Sequence, residues 1–111
     1  MTAGLSSGSR IVRSVVKPRA QRLLGELALD RHDVPRAIEL LAPALDEART
    51  IAPHGDMTAE LETRLGLALL EAGQVEEAEG HLLTGHGLCE RLGDRIEQAI
   101  AERALARLDA M

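Results

Sequence analysis

From Pro18 onward, apolar positions return with helical spacing, interrupted at intervals by Gly, Pro and Asp. Leu23, Leu24, Leu27 and Ala28 make the apolar face of a first helix that ends near Arg31. Asp33 is placed to cap the next helix, its carboxylate accepting from a first-turn amide, and Pro35 suits a first turn, where no donor is needed. The second helix carries Ala37, Ile38, Leu41, Ala44, Leu45 and Ala48, with Pro43 inside it, which predicts a kink or a local break. Ala52-Pro53-His54-Gly55-Asp56 reads as a turn, and Asp56 or Thr58 as the next cap. A third helix holds Leu61, Leu65, Ala68, Leu69 and Ala72 and stops at Gly73. The fourth carries Val75, Ala78, Leu82, Gly85 and Cys89, then Gly93 stops it and Asp94 caps a fifth. The fifth, Arg95 to Ala110, shows a stripe of Ile96, Ile100, Ala104 and Leu108.

Ahead of Pro18 the character changes. Residues 1–8 are small and polar and are expected to be disordered. Over 9–17, Ile11, Val12, Val15 and Val16 share one helical face opposite Arg10, Arg13, Ser14 and Lys17, so an amphipathic helix is expected there. The prediction is all-α, five to six helices joined by short turns, with no strand.

Displacing the chain by 41 residues against itself pairs Leu24 with Leu65, Gly25 with Gly66 and Leu29 with Leu70. The same shift pairs Val34 with Val75, Ala37 with Ala78 and Leu41 with Leu82, so the matches spread over both helices of a pair. Recurrence at such a period marks stacked helical repeats. Leu24-Gly25…Ala37…Leu41…Ala44, and again Leu65-Gly66…Ala78…Leu82…Gly85, resembles the tetratricopeptide repeat over about residues 18–110. Gly25 and Gly66 would let the helices of a hairpin approach, while Ala37, Ala78, Ala44 and Gly85 keep the second helix thin. The resemblance implies an α-α superhelix of stacked antiparallel hairpins, with units at 18–51, 57–91 and a partial one at 94–110. The period exceeds the family's usual 34 residues. Gln21 and Glu62 stand where a Trp is common, and Ala28 and Leu69 where a Tyr is. This long, aromatic-poor form is similar to the repeat arms of bacterial transcription regulators and signalling kinases.

Composition agrees with a helical reading. Among 111 residues there is no Phe, Tyr or Trp, so the core is aliphatic, rich in the Leu and Ala that favour helices. The length suits one domain. A single cysteine, Cys89, rules out an intrachain disulfide and fits a cytoplasmic setting. No apolar run approaches the ~20 residues of a membrane span, and no secretory leader is apparent. Net charge is −5 but uneven: Arg10, Arg13, Lys17, Arg19 and Arg22 precede the first acid, Glu26, leaving −10 over residues 23–111. An acidic body argues against nucleic-acid binding by the body itself. The basic start admits three readings: a mitochondrial targeting segment, a nucleic-acid or membrane arm, or, favoured here, the last helix of an earlier repeat packed on the first hairpin. On that favoured reading the chain is a fragment of a longer arm.

Candidate chemistry is sparse. His86 and Cys89 lie about 60° apart around one helix and could share a metal, whereas His81 is about 140° from His86. No CxxC or HExxH accompanies them, so His86 reads as a half-buried substitute for Leu45 and Cys89 as a small core residue. Ser6, Ser7, Ser9 and Ser14 precede the folded body without a Gly-x-Ser-x-Gly turn. Glu60, Glu62, Glu76 and Glu77 read as solvated helix faces. Gly80, Gly85 and Gly87 form no phosphate loop; Gly85 has a packing reason, while Gly80 and Gly87 have none and predict bending or fraying of the fourth helix. No enzyme, cofactor or metal is implied.

The family resemblance puts a ligand groove on the first helix of each pair. It maps onto Arg19, Arg22, Glu26 and Asp30, then Glu60, Thr63, Leu67 and Glu71, continued by Arg103 and Arg107. The row is mixed in charge and lacks the Lys/Asn cluster of chaperone-binding members. The expected function is a protein-interaction or scaffold module of a cytoplasmic bacterial signalling or regulatory protein, binding a protein or peptide and able to self-associate through its terminal helices. The alternative is a small accessory protein acting on nucleic acid or membrane through its basic N-terminal arm.

Overall fold

A computed structural model describes residues 18–111, and within them the chain is all-α. Five helices follow one another: α1 (18–30), α2 (Val34–Ile51), α3 (Asp56–Glu71), α4 (Val75–Leu92) and α5 (Arg95–Asp109). Among the described residues there is no strand. The segments 1–8 and 9–17, with their predicted tail and amphipathic helix, lie outside the described residues.

Three of the four turns close the same way. The N–H of Asp33 donates to the Ala28 carbonyl (2.8 Å), that of Gln74 to Leu69 (2.9 Å) and that of Asp94 to Cys89 (2.9 Å). Each closure is preceded by a left-handed residue: His32 at φ 61°, Gly73 at φ 82° and Gly93 at φ 76°. This is how a helix satisfies its last carbonyls before reversing. The next helix then starts on a side-chain cap at two of these turns. Asp33 Oδ1 accepts from the Arg36 amide at a long 3.4 Å, and Asp94 Oδ1 from the Glu97 amide at 3.1 Å. The α2–α3 turn is different. Gly55 occupies the cap position without a side-chain bond, and Asp56 is already helical. The Thr58 hydroxyl, expected as a cap, instead donates to the Ala52 carbonyl (2.7 Å) and fastens the turn from inside.

Short turns make successive helices antiparallel neighbours, and the contacts give the register. Gly25 faces Leu41 across α1 and α2, each eight residues from Asp33. Gly66 faces Leu82 across α3 and α4, each eight residues from Gln74. A Cβ at Gly25 would lie 2.6 Å from Leu41 Cγ, and one at Gly66 would lie 2.7 Å from Leu82 Cγ. The two glycines therefore occupy equivalent surroundings: each lets a fully buried leucine press onto bare backbone. Helix α3 is central, packing most closely with α4 and also with α2 and α5. Leu41, Leu45, Leu61 and Leu82 are the largest apolar side chains fully out of water, each contributing about 1.5–3 kcal/mol of burial.

Several expectations need correction. Pro43 does not break α2, which runs unbroken from Val34 to Ile51. Pro43 is exposed, so the Glu39 carbonyl left without its amide partner is on the water side of the helix. Helix α4 is likewise continuous through Gly80 and Gly87. Ala72 is exposed at the end of α3. On α5 the buried set is Glu97, Ala101 and Ala104, and Ile96 is 77% exposed. Ile96 lies about 100° around the helix from the buried Glu97 and faces water.

Candidate interaction surface

The groove residues implied by the family resemblance fall into three groups. Arg22, Glu26 and Glu60 come together, joined by two residues that the mapping missed, Arg64 and Glu97. Arg22 contacts Glu26 within α1 (2.5 Å) and Glu60 on α3 (3.2 Å). Arg64 on α3 reaches back to Glu26 (3.3 Å) and forward to Glu97 on α5 (2.6 Å). Arg22–Glu60 and Glu26–Arg64 share one sequence offset and advance together, so α1 and α3 run parallel, side by side. The result is a ladder of alternating charge across α1, α3 and α5. The Nε atoms of Arg22 and Arg64 are near carboxylates without an aligned hydrogen bond, so those two rungs are charge proximity alone. Burial, eased by Arg22 and reinforced by Glu97, Asp56 and Asp94, pushes the Glu60 carboxyl above its usual range.

The second group is inside the fold. Thr63 is completely buried, its hydroxyl bonded to the Ala59 carbonyl (3.1 Å), and it cannot line a groove. The cause is Gly85: with no side chain there, α4 lies directly over Thr63. Leu67 is partly buried against the core. The third group, Arg19, Asp30, Glu71, Arg103 and Arg107, is exposed. These five remain accessible beside the ladder.

Glu62, read from the sequence as a solvated carboxylate, is 1% exposed. It sits where α2, α3 and α4 meet. Arg49 Nη2 on α2 donates to its Oε2 (2.6 Å), and His81 Nδ1 on α4 lies 2.7 Å from its Oε1. Burial alone would raise this carboxyl, but the bonds from His81 and Arg49, with their charge, outweigh it and hold it below the usual range. Its partners lie 13 and 19 residues away in other helices, beyond the reach of any local pattern.

Cys89 is fully buried, and burial, aided by Asp94 and Glu97, pushes its thiol up to about 11. His86 is bonded to Glu102 on α5 (2.9 Å). Among the described residues no group of three or more His, Cys, Asp or Glu side chains is placed to hold a metal ion. No helix among them is long and apolar enough to cross a membrane. At the outer helices apolar side chains remain uncovered: Leu23, Leu24 and Leu27 on α1, Ile96 on α5, each at least 44% exposed.

A scan against protein-family models and searches of curated proteins and of solved structures each return no match.

Proposed function

We propose that this chain is a protein-interaction module built from tetratricopeptide-like hairpins, serving as a scaffold within a bacterial signalling or transcription-regulatory protein in the cytoplasm. One observation carries the reading: Gly25 against Leu41 and Gly66 against Leu82 stand in the same register about their turns. A unit that repeats its packing can stack, and stacked hairpins offer an extended wall as their main accessible feature. The parallel course of α1 and α3 supports the same arrangement. On this reading the partner, a protein or peptide, meets the wall of α1, α3 and α5 through Arg19, Asp30, Glu71, Arg103 and Arg107. The ladder behind them is already paired and acts as support.

Site-specific photocrosslinking in cells tests this. A benzophenone side chain at Glu71 or Arg103 should give one discrete adduct, and the same group at Glu79 on α4 should not. Equal adducts from both positions, or none from the wall, would overturn the proposal.

A further inference from the structure

A cavity of about 450 Å³ opens between the end of α2, the α2–α3 turn and the second half of α4. Its size falls within the range of small-molecule sites. Arg49, His54 and Arg91 enter it from three elements, Thr84 and Gly87 form its α4 wall, and Leu83 adds an apolar edge. Arg49 is held in place by the buried Glu62, which bonds one of its amino groups and leaves other guanidinium donors free. The side chains of Arg91 and His54 have no ion pair or hydrogen bond among the described residues. Arg49 and Arg91 each sit in the last turn of a helix, where the dipole favours a cation. That placement accounts for each arginine separately but not for their convergence with His54 on one cavity.

We propose that this cavity binds a small monocarboxylate that carries a branched apolar group. The charge selects a monoanion: the formal charges of Arg49, Arg91 and Glu62 sum to +1 over the lining. The surrounding body is strongly acidic, with 18 acidic and 10 basic residues over 18–111, and over the ~8–10 Å that salt leaves unscreened it repels a dianion such as phosphate about twice as strongly as a monoanion. Leu83, 56% exposed, offers the contact for the apolar group. Gly87 keeps the wall low: a Cβ there would meet nothing within 4 Å, so the glycine answers no packing need, and bare backbone allows close approach. The site lies apart from the α1–α3–α5 wall and stands whether or not that wall binds a partner.

The test is titration of the full chain, ¹⁵N-labelled, with N-acetyl-leucine, followed by amide and Arg Nε–H shifts. Saturable shifts are expected at Leu83, Thr84, Gly87, Leu88 and the Arg91 side chain. N-acetyl-leucinamide, the neutral isostere, should bind about tenfold more weakly or worse, as befits loss of a charge-assisted bond. Acetate and inorganic phosphate should not saturate over the same range. Arg91→Gln, at an exposed side chain without partners, should weaken N-acetyl-leucine by about fivefold or more. Arg95→Gln removes the same charge elsewhere and should leave affinity unchanged. Gly87→Ala should weaken binding while the fold is kept or strengthened. Equal shifts from the acid and the amide, or an Arg91→Gln titration like that of the native chain, would overturn the assignment.

Discussion

Helix α4 contains an internal control on the packing argument, because Gly80, Gly85 and Gly87 all lie in its interior. Replacing an interior helical glycine by alanine gains about 0.8–1 kcal/mol of helix propensity wherever space permits. At Gly80 and Gly87 an added Cβ meets nothing within 4 Å, so the gain should be realised in full. At Gly85 the same Cβ would lie 2.5 Å from Thr63 Oγ1, 3.0 Å from Thr63 N and 3.3 Å from the Ala59 carbonyl oxygen. The hydroxyl cannot turn away without breaking its bond to Ala59, and the other two atoms are backbone. Helices α3 and α4 must therefore separate, at an overpacking cost of about 1–3 kcal/mol. Gly80→Ala and Gly87→Ala should each stabilise by about 1 kcal/mol, while Gly85→Ala should be neutral or destabilise by up to about 2 kcal/mol. The propensity gain is common to all three, so the gap between Gly85→Ala and the others measures packing alone. Without aromatic residues the chain gives no useful fluorescence, so urea unfolding should be followed by circular dichroism at a common slope. One kcal/mol corresponds to roughly 4–8 °C in Tm at this size. If Gly85→Ala matches Gly80→Ala within about 0.5 kcal/mol, the close approach of α4 to Thr63 is wrong.

Three other outcomes follow from named groups. Glu62 has a depressed pKa in the fold, so its stabilisation is complete above the unfolded value of about 4.3 and is lost as pH falls through the folded one. Glu62→Gln should cost about 1–3 kcal/mol at pH 7, a figure kept low because Arg49 is half exposed, and the difference in urea midpoint should shrink below about pH 4; a gap that is flat with pH refutes the ion pairing. His32→Gly should stabilise by about 0.5–1 kcal/mol, since His32 holds the left-handed conformation that Gly73 and Gly93 hold elsewhere, and a loss of Tm would contradict this. The Cys89 thiol should react with a disulfide reagent at pH 8 only as fast as the fold opens, accelerating with urea; prompt labelling in native buffer would show that it is not buried.

What the sequence discloses is what one helix or one turn determines. The stops at Gly73 and Gly93, the caps at Asp33 and Asp94, and the small residues opposite Leu41 and Leu82 are local consequences of backbone geometry, and they stand in the fold where the pattern puts them. The failures are those of a one-body reading. A helix packed on one side shows a single apolar stripe, but α3 has neighbours on several sides and buries Thr58, Glu62 and Thr63 together with its leucines. Glu62 inside inverts the hydropathy rule for that reason, while Ile96 outside sits on the uncovered side of the outer helix α5. Arg49, His81 and Arg64 satisfy buried carboxylates from other helices, and that pairing, not side-chain polarity, decides which face turns inward. Groove residues transferred by register alone inherit the error: the register brings Arg22, Glu26 and Glu60 together but is blind to the cover that Gly85 lets α4 place over Thr63.

The two polar clusters also differ in stiffness, and this bears on how a wall of helices could serve a partner. Arg22, Glu26, Glu60 and Arg64 retain side-chain exposures of 17–25%, and the two rungs that link α1 to α3 are charge proximity without an aligned hydrogen bond, open in part to screening by salt. The polar links between α1 and α3 are therefore the less directional ones. Between α3 and α4, by contrast, the backbone itself limits the distance at Gly66 and Gly85, and Glu62 locks α2 and α4 to α3 from within. On the interaction reading, a ligand crossing α1, α3 and α5 can change their spread at the expense of a few poorly aligned ion pairs, while the hairpin interior keeps its register. Raised ionic strength should then loosen the α1 amides toward hydrogen exchange before it affects those of α3 and α4, an order that a uniformly rigid bundle would not show.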